Sequence, residues 1–259
     1  MKNIQLAFLI MLVASFFLHA QERQKDTSLK PVYANGRWGY ADSSGKIAIA
    51  ARFDAALPFA AGLARVGVVD EELPEIDRRP NLLWGYINER GVAVVELRYN
   101  ALHPFSDGLA AAAVLDNESK KSAYARRLFG DFRWGYVDRE GHVVIPIQYF
   151  GAGDFSEGLA NVNVGRETDS NCGRPGNYGY IDKSGAFVIK PQFAMASAFK
   201  DGRAHVSVGY TEYVGRCMCC GPRFIGKFGY VNRNGEFIVE GKSDGDEPLS
   251  DSNGSEYRQ

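Results

Sequence analysis

Four cysteines are the residues of this chain with the most direct chemical use. Cys172 stands alone, whereas Cys217, Cys219 and Cys220 lie close together. An even number of cysteines in an exported protein favours disulfide bonds, and four cysteines allow three pairings. Because a bond between the adjacent Cys219 and Cys220 would be strained, we favour a bridge from Cys172 to the segment that carries the other three.

Two other uses of these cysteines stay open. Four thiolates could hold a zinc ion, although Cys-x-Cys-Cys is not the paired Cys-x-x-Cys spacing that zinc sites usually have. The thiols could also be free and reactive. Disulfides are the favoured interpretation, so we expect no metal site and no cofactor.

The sequence has no pattern typical of an enzyme active site. His103, His142 and His205 stand far apart and show no metal-binding spacing. Neither a Gly-x-Ser-x-Gly elbow nor a phosphate-binding Gly-x-x-x-x-Gly-Lys-Ser/Thr segment occurs. We therefore expect no catalytic residues and no enzymatic activity. A hydrolase whose two carboxylates meet across a groove is the third-ranked reading of the function.

An internal repeat supplies the elements that position all of these residues. An aromatic residue, a glycine and a tyrosine occur together five times, each time followed by an aliphatic residue or alanine, an Asp or Asn, two variable residues and a glycine. The five copies are Trp38-Gly39-Tyr40, Trp84-Gly85-Tyr86, Trp134-Gly135-Tyr136, Tyr178-Gly179-Tyr180 and Phe228-Gly229-Tyr230.

A second recurrent segment, Gly-Leu-Ala or Gly-Arg-Ala, follows the first at a constant distance. It begins at Gly62, Gly108, Gly158 and Gly202. The distance from this glycine to the next aromatic residue varies, which separates a structural unit from its insertion site. The insertions are residues 70–81, 115–131, 165–176 and 210–225. The cysteines lie in the last two, and because these occupy equivalent positions of neighbouring repeats, we expect them to touch.

Alternation of apolar residues at period two predicts β-strands in every copy. Ile47 and Ile49 alternate in this way after the first turn, and Val66 and Val68 do so before the second aromatic segment. We therefore predict an all-β tandem repeat array of five three-stranded antiparallel units. An open, solenoid-like stack of β-hairpins is favoured over a closed propeller-like ring, since a propeller blade usually has four strands.

The acidic residues after the tyrosines are predicted to shape turns. Asp42, Asp138 and Asp182 could be imagined as catalytic acids, but Asn88 and Asn232 replace them in register. The short polar side chain of Asp or Asn can hold the backbone of its own turn while the glycine takes positive φ.

Aromatic residues at matched positions are expected to form the cores of the repeats rather than a ladder of ligand-binding rings. Phe59, Phe105, Phe155 and Phe199 precede the second glycine at a constant distance. The predicted core aromatics of the first segment are Trp38, Tyr40, Trp84, Tyr86, Trp134, Tyr136, Tyr178, Tyr180, Phe228 and Tyr230.

The pattern resembles the WG-repeat family, also called KWG repeats. The core of that family is Asn-Gly-x-Trp-Gly-Tyr-Ile-Asp-x-x-Gly, followed by an aliphatic strand, an aromatic residue and Phe-x-x-Gly-Leu-Ala. The resemblance covers residues 28–240, with Tyr178 and Phe228 in place of Trp, Ala41 in place of Ile or Val, and Arg203 in place of Leu. It implies an exported or surface-linked interaction module without catalytic residues.

The two ends of the chain differ from the array between them. Residues 1–20 have the plan of a signal peptide, with a basic start, an apolar run and the small residue Ala20, after which we place cleavage. Residues 21–27 are predicted to be a linker, and the polar tail 241–259 is expected to be disordered. No later segment is apolar enough to span a membrane.

These observations predict a binding protein. A net charge of −1 provides no basic surface for nucleic acid. We expect an exported binding or scaffolding protein, periplasmic, in the cell envelope or secreted, that presents its variable loops to a protein partner. The alternative is a cell-wall or glycan-binding protein, because the Asn35–Tyr40 segment is also similar to the aromatic hairpins of cell-wall-binding repeats. Burial of the tryptophans would count against a glycan site.

Overall fold

The described part of the chain is entirely β-structure. The computed structural model describes residues 29–71, 81–116, 132–165, 177–213 and 222–242, which contain nineteen strands and no helix. The strands form five small antiparallel sheets, one after another along the chain. Each sheet is called a unit below.

The five units have the same strand order, in which neighbours along the chain pair with each other. Unit 1 contains β1 (Lys30–Ala34), β2 (Arg37–Ala41) and β3 (Ile47–Phe53). Unit 2 contains β4 (Ala55–Ala56), β5 (Leu63–Val69), β6 (Leu82–Asn88) and β7 (Ala93–Tyr99). Unit 3 contains β8 (Ala101–Leu102), β9 (Ala110–Leu115), β10 (Phe132–Val137) and β11 (Val143–Tyr149). Unit 4 contains β12 (Gly151–Ala152), β13 (Ala160–Asn163), β14 (Tyr178–Ile181) and β15 (Phe187–Phe193). Unit 5 contains β16 (Met195–Ala196), β17 (Arg203–Tyr213), β18 (Pro222–Asn232) and β19 (Phe237–Lys242).

The predicted fold class, an all-β array of tandem antiparallel units, is confirmed. The described residues form no closed barrel, as expected for an open stack. The three predicted strands are present in each unit. Units 2 to 5 add a two-residue edge strand that the alternation of apolar residues did not predict.

The boundaries differ from the predicted ones in two places. In unit 5, β17 continues to Tyr213 and β18 starts at Pro222, so the hairpin strands occupy part of the predicted insertion 210–225. The last strand ends at Lys242, two residues beyond the predicted end of the array. The predicted signal peptide, the linker and the tail after residue 242 lie outside the described residues.

The Asp or Asn after each tyrosine organises a turn, as predicted. In unit 3, the amides of Glu140 and His142 donate to Oδ1 of Asp138 at 3.0 and 2.8 Å. The Gly141 amide donates to the carbonyl of the same aspartate. Equivalent bonds reach the side chains of Asp42, Asn88, Asp182 and Asn232.

The glycine after the aromatic residue allows a close approach of two strands. A Cβ on Gly135 would lie 2.5 Å from the carbonyl oxygen of Ile145 and 2.8 Å from Cα of Ile147. The pairing of β10 with β11 is irregular at this point, between Trp134 and Tyr136. Gly39, Gly85 and Gly179 meet the backbone of the following strand in the same way.

Consecutive units are joined by a tyrosine and a phenylalanine. The Tyr136 hydroxyl donates to the carbonyl of Gly153 at 2.7 Å, and its ring packs on Phe155 with 4.8 Å between centroids. Gly153 and Phe155 belong to the link between β12 and β13, so the contact connects unit 3 with unit 4. The equivalent tyrosine–phenylalanine pairs are Tyr40–Phe59, Tyr86–Phe105 and Tyr180–Phe199.

The turn glycine of one unit packs on the preceding unit. Gly91 lies against Ile49, Gly185 against Ile145 and Gly235 against Ile189. Gly45, in the first unit, has no atom within 4 Å of the position that a Cβ would take. Unit 1 is therefore the uncovered start of the described stack.

Candidate binding surface

The predicted core aromatics divide into two classes. The tyrosines of units 1 to 4 are buried, and their pKa values are raised by loss of solvation. The residue that precedes the glycine is half-buried in all five units, and in units 1 to 4 it packs at the margin of a core cluster. Tyr230, in the last unit, is exposed. In the first four units, the tyrosine therefore lies in the core and the residue before the glycine borders it.

Side chains of the same unit cover part of each of the three tryptophan rings. Tyr33 packs on Trp38 with 5.2 Å between ring centroids, and His103 packs edge-on to Trp134 at 5.1 Å. The guanidinium of Arg65 lies 5.3 Å from the Trp84 ring. The flat area left for stacking on a sugar is correspondingly reduced, although the rings are not buried between the units.

The insertions leave the fold from one edge. Each connects the same two strands of its unit, because it lies between the Gly-Leu-Ala strand and the aromatic strand. We call the described residues on which the insertions are rooted the loop edge. The pairs of roots are Glu71 and Asn81, Asp116 and Phe132, Gly165 and Asn177, and Tyr213 and Pro222.

Corner residues between units hold the loop edge together. Asp54 follows the last strand of unit 1, and its Oδ2 accepts hydrogen bonds from the Val69 amide at 2.8 Å and from Arg37 at 2.7 Å. Asn100, at the next corner, accepts a bond from the Leu115 amide at 2.9 Å. The side chain of each corner is therefore bonded to the strand from which the next insertion departs.

The third corner brings the roots of two insertions together. The Arg133 guanidinium lies 3.6 Å from the centroid of the Phe150 ring and forms an ion pair with Asp116 at 2.7 Å. Gly165, a root of the third insertion, lies against the same ring. Phe150 is exposed at 48%. One apolar side chain thus connects the second insertion with the third.

The sequence analysis missed the corner residues. Asp54, Asn100 and Phe150 occupy one position but differ in residue type, so they leave no repeated letter. The corner position could nevertheless have been identified from the sequence, because each corner residue directly follows an aromatic residue that recurs in the repeat: Phe53, Tyr99 and Tyr149. The predicted disulfide candidates Cys172, Cys217, Cys219 and Cys220 all lie outside the described residues.

On the opposite edge, units 2 and 3 enclose a cleft of about 280 Å³. Its walls are mainly apolar, and Arg65 and Arg139 line it. Arg65 donates to the carbonyl of Leu102, and Arg139 donates to the carbonyl of Ala61. Both arginines therefore connect unit 2 to unit 3, which is a structural role.

A histidine–carboxylate pair joins two units near this edge. His103 Nδ1 is 2.8 Å from Oδ1 of Asp154, and both side chains are partly exposed. The pair joins the links of units 3 and 4 and was not predicted, since the two residues belong to different repeats. In the described ranges, no serine or cysteine is hydrogen-bonded to His103, and no group of three metal-binding side chains occurs.

Comparison with known proteins agrees with the geometry. A family model for the WG-containing repeat matches residues 38–68, 84–117, 134–166 and 178–211, which together make up just over half of the chain. A search of curated proteins gives no match. Within the described residues, no helix is long and apolar enough to cross a membrane. The four matched segments each begin at the aromatic residue of one of the first four units, and the chain belongs to the WG-repeat family.

Proposed function

We propose that this protein is an exported, non-catalytic binding or scaffolding protein that presents its insertions to a protein partner at the cell envelope or outside the cell. The observation that carries the proposal is the loop edge, where four insertions are rooted on equivalent strand ends of four successive units. Tandem repeats commonly place their variable segments on one face to build a partner surface.

The roots are held in place before any partner arrives. In unit 4, Oδ1 of Asn163 accepts bonds from the amides of Gly165 and Asn177 at 2.8 and 3.2 Å. In unit 2, the Asp70 amide donates to the carbonyl of Asn81 at 2.6 Å. A binding surface with ordered roots loses less conformational entropy on association than one built on free segments.

Export is supported by the N-terminal sequence. The basic start, the apolar run and the small residue at Ala20 are the plan of a secretory signal. An oxidising compartment would also allow the proposed bridge from Cys172 to the Cys217–Cys220 segment. Such a bridge would connect the third insertion with the fourth.

The experiment is affinity capture from an envelope extract with the mature chain, starting at Gln21, as bait. Replacing residues 166–176 by a short Gly-Ser turn should lower capture of the partner at least tenfold. The matched control is Lys183→Glu, which changes a turn on the opposite edge and should leave capture unchanged. Thermal melting of both variants checks that the array stays folded.

Two results would contradict the proposal. Capture that survives shortening of all four insertions would show that the loop edge is not the binding surface. Retention of the bait by purified cell-wall polysaccharide, lost on replacing Trp38, Trp84 and Trp134 by alanine, would favour the glycan reading instead.

A further inference from the structure

The last unit exposes a tyrosine that the other units bury. The exposed fractions are 0% for Tyr40, 6% for Tyr86 and 0% for Tyr136 and Tyr180, but 43% for Tyr230. All five side chains occupy the same position of the repeat. The difference therefore lies in what covers them.

In the first four units, the cover is the link that follows. The tyrosine hydroxyl donates to the carbonyl of the residue 17 positions later, at 2.7 to 2.8 Å: Leu57, His103, Gly153 and Ser197. The phenylalanine two residues further on packs against the tyrosine ring, with centroids 4.7 to 4.9 Å apart. Both contacts recur without exception in units 1 to 4.

The chain beyond the last strand carries a segment that matches these links in register. Counting the same 17 positions from Tyr230 leads to Glu247, and the residue in the phenylalanine position is Leu249. The segment reads Glu247-Pro248-Leu249-Ser250-Asp251, beside His103-Pro104-Phe105-Ser106-Asp107 in unit 3. It matches in proline, an apolar residue, serine and aspartate, and it is the most apolar part of an otherwise polar tail.

We propose that residues 247–251 fold back on unit 5 as a sixth link and cap the array. Leu249 packs on the Tyr230 ring, and the Tyr230 hydroxyl donates to the carbonyl of Glu247. The strand β19 ends at Lys242, five residues before Glu247, and the corresponding strands of units 1 to 4 end four residues before the bonded carbonyl, so the chain is long enough to reach the tyrosine. No further unit follows unit 5 within the described residues, so its outer face needs such a cover.

The cap revises the expectation that the whole tail is disordered. Only residues 247–251 are assigned to it, and the polar residues after them take no part. The inference concerns the end of the stack and does not depend on the proposed binding function.

Five variants of the mature chain test the cap. Deleting residues 243–259 and the single change Leu249→Asp should lower the melting temperature by a similar amount, about 2–6 °C for a chain of this size. Deleting only residues 253–259 is the matched control and should have no effect. Tyr230→Ala should lower the melting temperature as well. Adding Leu249→Asp to Tyr230→Ala should produce little further change, because the two substitutions remove the same contact.

Hydrogen exchange measured by mass spectrometry provides the second readout. Amides of residues 249–251 should exchange at least tenfold more slowly than those of residues 254–259, and Leu249→Asp should abolish the difference. Equally fast exchange along the tail, together with an unchanged melting temperature after deletion of residues 243–259, would overturn the cap.

Other occupants of the Tyr230 face give distinct results. If a second copy of the chain covered it, size-exclusion chromatography would show a dimer that Tyr230→Ala dissociates while the tail exchanges freely. If a separate partner covered it, deletion of the tail would leave the purified protein unchanged in melting temperature. Either outcome would contradict the cap.

Discussion

A single tyrosine hydroxyl recurs at each of the first four junctions between units. It belongs to a buried side chain, and its hydrogen bond to a backbone carbonyl satisfies both groups. Its ring fills the space between two sheets against a phenylalanine. The residue therefore has to be amphipathic, with an apolar body and a polar end, which accounts for tyrosine rather than phenylalanine at Tyr40, Tyr86, Tyr136 and Tyr180.

The first prediction concerns Tyr136→Phe. The substitution keeps the ring but leaves the Gly153 carbonyl without its donor, so it should cost about 1–2 kcal/mol of unfolding free energy at neutral pH. Chemical denaturation of the two proteins measures the difference.

The difference should shrink at alkaline pH. Burial raises the pKa of Tyr136 above its ordinary value of 10.0, so the unfolded chain ionises before the folded one. The stabilisation is fully present below pH 10 and is lost as the pH rises above it. Phenylalanine does not ionise, and the two proteins should converge in stability above pH 10. A gap that stays constant to pH 11 would contradict the prediction.

A second prediction concerns Gly135→Ala. The new Cβ would meet backbone atoms of β11 that cannot move without disturbing the sheet, so we expect a loss of about 1–3 kcal/mol. The matched control is Gly67→Ala, also in a strand, where a Cβ would meet only side-chain atoms at 3.4 Å. Urea denaturation should show little change for this control. An equal effect of both substitutions would show that the close approach is not the cause.

At the scale of the element, the second hairpin of each unit serves two purposes. The Asx turn closes the hairpin, and its glycine provides the flat surface on which the preceding sheet packs. Gly141 illustrates both requirements, with a φ of 92° and a position directly over the carbonyl of Val94. The turn is thus part of the interface between units as well as a connection within one.

The two requirements can be separated by comparing Gly141→Ala with Gly45→Ala. Both glycines have positive φ, but a Cβ on Gly45 would meet no atom within 4 Å. We expect Gly45→Ala to cost about 1–2 kcal/mol, from the backbone conformation alone. Gly141→Ala should cost about 1–3 kcal/mol more, because it also overlaps the neighbouring unit. Equal losses in equilibrium unfolding would disprove a role of this glycine in stacking.

The sequence was sufficient for those elements whose residue types recur. Constant intervals between Trp-Gly-Tyr, the Asx turn and Gly-Leu-Ala predicted the strands and turns. The residue types recur at these positions because packing or turn geometry requires one type of residue at each. The two-residue strands, such as Ala55–Ala56, were missed because they are too short to show alternation. The corners were missed because Asp54 and Phe150 perform related tasks with different chemistry, one by hydrogen bonding and one by contact with an arginine.

At the scale of the whole molecule, each unit contacts its neighbours along the chain. The Arg52 guanidinium of unit 1 reaches the Gly91 carbonyl of unit 2 at 2.6 Å, and the Ser106 hydroxyl of unit 3 reaches the Phe155 carbonyl of unit 4 at 2.6 Å. Stability in such a stack is close to a sum of unit and junction contributions. A weakened junction should consequently uncouple the units on its two sides.

Phe155→Ala is the substitution that tests this coupling. Phe155 is fully buried at the junction between units 3 and 4, so its truncation should cost about 3–5 kcal/mol. We expect calorimetry to show a single transition for the natural protein and two for the variant, one for each side of the junction. Val188→Ala, which truncates a side chain that is 47% exposed, is the control and should keep one transition with a smaller loss. A single transition for Phe155→Ala, shifted as a whole to lower temperature, would mean that contacts beyond this junction hold the units together.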